Sequence, residues 1–171
     1  MLKIATTEPH PFLFLPIAGG YRKVLSDDRS MTTQLERGSG EKPAIKLLYE
    51  GWGRAEPDEA MRLGLPDGQL VWLRESELMI NSVTLISARS VIPRQLLRGR
   101  YRILRSYGTR SLGELLFSSR SIYREHVWFG LEQGVVETVL RCSRFRLGRS
   151  ALLLTESFSS HAMARLCGER S

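Results

Sequence analysis

The chain has 171 residues, 42% of them hydrophobic and 25% charged, with a formal net charge of +7. Such values suit one globular domain with its own core and exclude a disordered, fibrous or disulfide-stapled chain. No stretch approaches the ~20 apolar residues that a membrane-crossing helix needs, and Cys142 and Cys167 show no metal or redox spacing, which points to a reducing, cytoplasmic setting.

Residues 11–18 are apolar but short and interrupted by prolines, and read as N-terminal packing rather than a signal peptide. Residues 21–25 read as helical until Asp27 to Ser30 break the pattern. Ser30 is a good N-cap for a second helix over 31–37. Residues 37–43 form a loop, 44–50 a strand, and 51–68, rich in Gly, Pro and charge, a surface excursion. Two long strands follow, 70–80 and 83–92, joined at Asn81-Ser82 in a tight hairpin. Residues 93–105 are basic. Ser111 and Glu114 have the spacing of a capping box and open a helix through Phe117. Residues 122–129 fit either strand or helix. Residues 138–147 and 151–158 are strands across a turn at Gly148-Arg149, and the tail from Ser159 is polar and expected to fray. Hairpins with interspersed helices predict an α+β fold, a single domain over 1–171 built on a largely antiparallel sheet with flanking helices. Its core runs from about 24 to 158, and the N-terminal arm and C-terminal tail are peripheral.

Two charged residues fall where apolar ones belong. Alternation puts Arg74 and Ser76 on the face of Trp72, Leu78 and Ile80, with Glu75 and Glu77 on the other. Glu156 shares a face with Leu152, Leu154 and Phe158. A buried guanidinium or carboxylate without a partner is very unfavourable. The two groups therefore need each other, a water, or a ligand with a carboxylate for the arginine and a hydroxyl or ether oxygen for the glutamate. If Ile80 pairs with Val83, Arg89 comes opposite Arg74, and that pair also asks for an anion. Backbone N–H groups near Met31 and Leu112, at the two capped helix starts, are further candidates for a carboxylate.

Ser30-Met31-Thr32, Trp72-Leu73-Arg74-Glu75, Ala88-Arg89-Ser90-Val91-Ile92-Pro93, Leu112-Gly113 with Leu116-Phe117, and Leu152-Leu153-Leu154-Thr155-Glu156 resemble, in order and spacing, the signature segments of the chorismate pyruvate-lyases. The resemblance runs from about Val24 to Phe158. It implies a chorismate lyase-like fold, related to the UTRA effector domains of transcription regulators. It also implies a cofactor-independent carbon–oxygen lyase that eliminates pyruvate from chorismate and leaves 4-hydroxybenzoate, most often for ubiquinone biosynthesis. By that match Arg74 and the backbone at Met31 and Leu112 hold a carboxylate, and Glu156 meets the phenolic hydroxyl. Arg74 and Glu156 are then the catalytic pair. Arg89 is expected, from the strand pairing, to neutralise the pyruvyl carboxylate. The chain departs from the family at Ser111, where proline is common, at Cys142, often arginine, and at Ser159-Ser160, where Leu-Pro is usual.

A different class is a UTRA-like domain that binds a small aromatic carboxylate and transforms nothing. Those domains usually follow a DNA-binding winged helix, and about thirty residues before Met31 are too few for one. Residues 94–149 carry twelve arginines and four glutamates, but no recognition helix or stacking pattern is evident, so a solvated face is expected rather than nucleic-acid binding. His10, His126 and His161 show no ligand spacing, so no metal is expected. Cys142 reads as a small core residue. The expected partners are chorismate and its products, with a monomer as the default.

Overall fold

The computed structural model describes residues 19–27, 29–132 and 138–168; the apolar segment 11–18 lies outside them. Among them six strands form one sheet: β1 (Ala44–Arg54), β2 (Leu70–Ile80), β3 (Val83–Pro93), β4 (Ile122–Glu132), β5 (Thr138–Leu147) and β6 (Ser150–Phe158). Their spatial order is β1-β2-β3-β6-β5-β4, and every neighbouring pair is antiparallel. Asn81 and Ser82 both take positive φ, 50° and 63°, as a two-residue type I′ hairpin turn requires. The ambiguous segment after Ile122 is a strand because its β5 partner offers a full ladder of backbone bonds.

Among the described residues five helices cover the sheet: α1 (Gly19–Ser26), α2 (Met31–Ser39), α3 (Pro57–Leu63), α4 (Leu112–Ser118) and α5 (Ser160–Cys167), with 3₁₀ turns at Arg94–Leu97 and Gly99–Ser106. On one face, Trp72, Ile92, Phe145 and Leu152 pack under the 3₁₀ turns and α4 through Leu104, Leu112 and Leu116. Beside them, Leu78, Ile86 and Phe158 pack under α1, α2 and α5 through Leu25, Leu35 and Met163. The opposite face buries Val71, Leu73, Val91, Cys142 and Leu153 under Ala60 and Leu63 of α3. Arginines 94, 98, 100, 102, 105 and 110 are exposed on and beside the 3₁₀ turns, as a solvated basic face would be.

Three expectations need correction. The 51–68 excursion is instead the end of β1 followed by α3, which begins with a reciprocal Glu56–Glu59 capping box and Pro57 in its first turn. The 159–171 tail is not frayed over its first part. Ser159 accepts the Ala162 N–H, Gly168 closes the helix in the left-handed region, and α5 buries Ala162 and Met163. The departure at Ser159 thus starts a helix. Finally, β2 and β3 start in the expected register, Ile80 with Val83, but Leu85 of β3 is an extra residue opposite the Leu78/Met79 step and shifts it. Arg89 therefore stands opposite Glu75, and Arg74 opposite Ser90. One extra residue turns every later side chain of β3 to the other face.

Candidate active site

The site follows from three adjacent strands. In register across β2, β3 and β6 lie Ser76, Ala88 and Glu156, and one pair along lie Arg74, Ser90 and Leu154. Strand spacing and rise place the Arg74 and Glu156 Cα atoms about 12 Å apart, with a small β3 residue between them. Ala88 forms the floor of a pocket walled by Arg74, Ser76 and Leu78 on one side and Leu154 and Glu156 on the other. The start of α2 (Met31, Thr32, after Ser30) and of α4 (Leu112, Gly113, after Ser111) closes it from above. About 340 Å³ of space, part of it open to solvent, lies among these residues. Among the described residues of the lining, Arg74 is the single cation and Glu156 the single carboxylate.

Both groups are buried, at 2% and 6% exposure, and they do not pair with each other. Arg74 donates through Nη1 to Ser76 Oγ at 3.1 Å and through Nη2 to the carbonyls of Gly108 and Arg110 at 2.8 and 2.9 Å. Its Nε makes no hydrogen bond among the described residues, and the Glu50 carboxylate stands 3.9 Å away. Burial pulls the Arg74 pKa below its ordinary value, and Glu50 acts in the opposite sense. Glu50 also accepts the N–H groups of Tyr107 and Gly108 at 3.1 and 3.2 Å. The 107–110 loop is thus clamped to β1 and β2 by an acid and a base, and Gly108 supplies the positive φ, 61°, that the turn needs. With three of the five guanidinium N–H donors engaged, capacity remains for an anion.

Glu156 has an ion-pair partner that sequence reasoning missed. Arg141, fully buried at 0% exposure, donates Nε to Glu156 Oε2 at 2.7 Å, and its Nη2 is also 2.7 Å from that oxygen. Oε1 is left for the pocket. The signal was available. Across the 147–150 turn, simple antiparallel register sets Arg141 opposite Glu156, and alternation puts Arg141 on the apolar face with Phe145 and Leu147. Glu50 was less legible, because β1 carries a bulge between Leu47 and Tyr49 that sets which face it takes.

The two helix starts are joined side by side. Thr32 Oγ1 and Ser111 Oγ share a hydrogen bond at 2.8 Å, and Ser111 Oγ accepts the Glu114 N–H at 3.2 Å, the expected cap. A proline at 111, common in the family the segments resemble, would make neither bond. Ser30 precedes α2, but its side chain makes no cap bond, contrary to the sequence expectation.

Arg89 is not in the pocket. It lies on the opposite face, bonded to Glu59 of α3 at 2.7 Å through Nε and to Glu75 through Nη1. The role expected for it at a second carboxylate is overturned by the β3 bulge. No group of three or more His, Cys, Asp or Glu that could hold a metal occurs among the described residues, and no described helix is long and apolar enough to cross a membrane. Cys142 is packed in the core of the opposite face, and burial pushes its thiol pKa up to about 11.

Comparison with known proteins places the chain in a family. The family model described as Chorismate lyase matches residues 15–165. A probable chorismate pyruvate-lyase of Marinobacter nauticus is 35% identical over 148 residues, which is 84% of this chain and 79% of the relative. The chorismate pyruvate-lyase of Erwinia tasmaniensis is 34% identical over 151 residues, covering 88% and 82%. Among solved structures, the effector domain of PhnF from Mycobacterium smegmatis superposes with a TM-score of 0.58 at 18% identity, covering 79% of this chain and 91% of that one. The C-terminal domain of the histidine utilization repressor of Pseudomonas syringae pv. tomato gives 0.58 at 12% identity, covering 70% and 93%. At such identities these likenesses speak to the fold. The family match over most of the chain, with relatives above 30% identity along most of their own length, is of another order: the chain belongs to the chorismate lyase family.

Proposed function

We propose that this pocket binds chorismate, eliminates pyruvate and leaves 4-hydroxybenzoate, with Arg74 and Glu156 as the residues that meet the two ends of the ring. The observation that carries the reading is the pairing of one cation and one carboxylate across a pocket otherwise lined by hydroxyls, backbone and apolar groups. Arg74, with backbone N–H groups at Met31 and Leu112, faces the ring carboxylate. Glu156 Oε1 faces the ring hydroxyl and the ether oxygen beside it.

The chemistry needs no oxidant. The bond between the ring and the ether oxygen breaks, and the carbon bearing the ring hydroxyl gives up its hydrogen as a proton. The ring becomes aromatic, and the departing enolpyruvate takes a proton on its methylene carbon to become pyruvate. Aromatisation supplies the driving force, so positioning and charge placement are the protein's contribution. The ring carboxylate is held by fixed donors, and Glu156 stands where the proton is exchanged. We further propose that the chain works in the cytoplasm as a monomer, on small molecules alone.

Incubation with chorismate tests this, with pyruvate followed by a coupled assay and 4-hydroxybenzoate by absorbance. Equal release of both products is expected. Binding of 4-hydroxybenzoate without release of pyruvate from chorismate would support a sensor domain instead.

A further inference from the structure

We infer that Ser30 is a substrate-binding residue, its hydroxyl donating a hydrogen bond to the ligand carboxylate beside Arg74. The inference rests on the lyase reading above and adds to it a side chain that neither the strand alternation nor the family segments assigned to the ligand.

Ser30 occupies the N-cap position of α2, yet it does not cap. Its carbonyl accepts the Gln34 N–H at 3.0 Å, as helix initiation requires, but its side chain receives no bond from the first turn. The residue is 4% exposed, and its Oγ is buried with no hydrogen-bond partner among the described residues. The neighbouring hydroxyls are engaged: Thr32 and Ser111 bond each other, and Ser111 also takes the Glu114 N–H. A buried hydroxyl left without a partner is unfavourable and uncommon in a folded chain.

Ser90 and Ser143 also carry buried hydroxyls without a partner among the described residues, but of the three only Ser30 lines the pocket. Ser30 lines the pocket together with Arg74, Met31 and Leu112. A Cβ on Gly113 would come within 3.0 Å of Ser30 Oγ. The hydroxyl therefore sits between the first residues of α2 and α4, and glycine at 113 leaves it that place. The pocket lining sets the Arg74 guanidinium and the Ser30 hydroxyl in one cavity with the first residues of α2 and α4. A planar carboxylate is the ligand group that accepts from both side chains.

Ser30→Ala separates this role from a structural one by the sign of its effect. The unfolding midpoint of the ligand-free variant is expected to equal or exceed that of the wild-type chain, because a buried hydroxyl without a partner has been removed. The Kd for 4-hydroxybenzoate, measured by calorimetry, should rise roughly ten- to a hundred-fold, the range of one charge-assisted bond. Ser30→Cys, close in size but a weak donor, should fall between the two. A Ser30→Ala chain that unfolds more easily, or fails to fold, while Ser30→Cys binds as wild type overturns the proposal in favour of a capping or packing role. Unchanged Kd in both variants overturns it in favour of a water at that corner. If the wild-type chain binds 4-hydroxybenzoate and only the variant result fails, the lyase reading stands; if the wild-type chain neither binds it nor releases pyruvate, both fall.

Discussion

Arg141 and Glu156 are register partners on β5 and β6, and the guanidinium Nε of the first lies 2.7 Å from Oε2 of the second. The pair fixes one carboxylate oxygen and leaves the other to the pocket. A buried ion pair with one member removed loses roughly 3–5 kcal/mol, chiefly because a charge is stranded. Arg141→Met should therefore lower the unfolding free energy by about that amount and abolish turnover. Arg141→Met combined with Glu156→Leu should recover most of the stability and none of the activity. Urea unfolding of the three chains reads the first effect and pyruvate release the second.

Arg74 and Glu156 should separate in their kinetic signatures. Arg74→Ala removes the cation proposed to face the ring carboxylate and frees the 107–110 loop from one side of its clamp. Its 4-hydroxybenzoate affinity should fall by roughly 2–3 kcal/mol, the worth of hydrogen bonds to a charged group. Glu156→Gln keeps shape and a hydrogen-bonding atom but no exchangeable carboxyl proton. It should slow pyruvate release by about 10²–10⁴-fold and change product binding far less. Calorimetry beside steady-state assays checks both.

Arg89 supplies the opposite control. It ties α3 to the sheet through Glu59 and lies across from Glu75, on the face away from the pocket. Arg89→Met should leave the chorismate KM unchanged and lower stability by about 2–4 kcal/mol, since Glu59 would keep a buried charge without its partner. A raised KM at unchanged stability would return Arg89 to the substrate.

Cys142 gives a prediction in pH. Its thiol is held up to about 11 by burial, against an ordinary value of 9.0. Between those pH values the unfolded chain releases a proton that the folded chain keeps. The stabilisation is complete below pH 9 and is lost as pH rises toward 11. The loss should reach about 2–3 kcal/mol. Urea midpoints of the wild-type chain and Cys142→Ala, compared from neutral to alkaline pH, should change at different rates over that window, with the steeper decline in the wild type.

Local pattern carried much of this protein into view. The period-2 alternation of β2 and β6 set Arg74 and Glu156 among core residues, and burial of both is what the sheet shows. The Ser111 half of the expected capping box formed because it depends on four consecutive residues. The helix over Ser160–Cys167 was hidden by its polarity; two inward residues and its caps are enough once α2 offers a surface to pack on. Arg141 was legible from hairpin arithmetic, because a two-residue turn leaves the register no freedom.

Tertiary structure decided the rest. Bulges in β1 and β3 set which face Glu50 and Arg89 take, and alternation alone cannot reveal an inserted residue, because each side of it still alternates perfectly. The place of the Ser30 hydroxyl beside Gly113, some eighty positions along the chain, is invisible to local sequence. Short-range preference places residues on a face; only the meeting of distant segments decides which of them share a cavity.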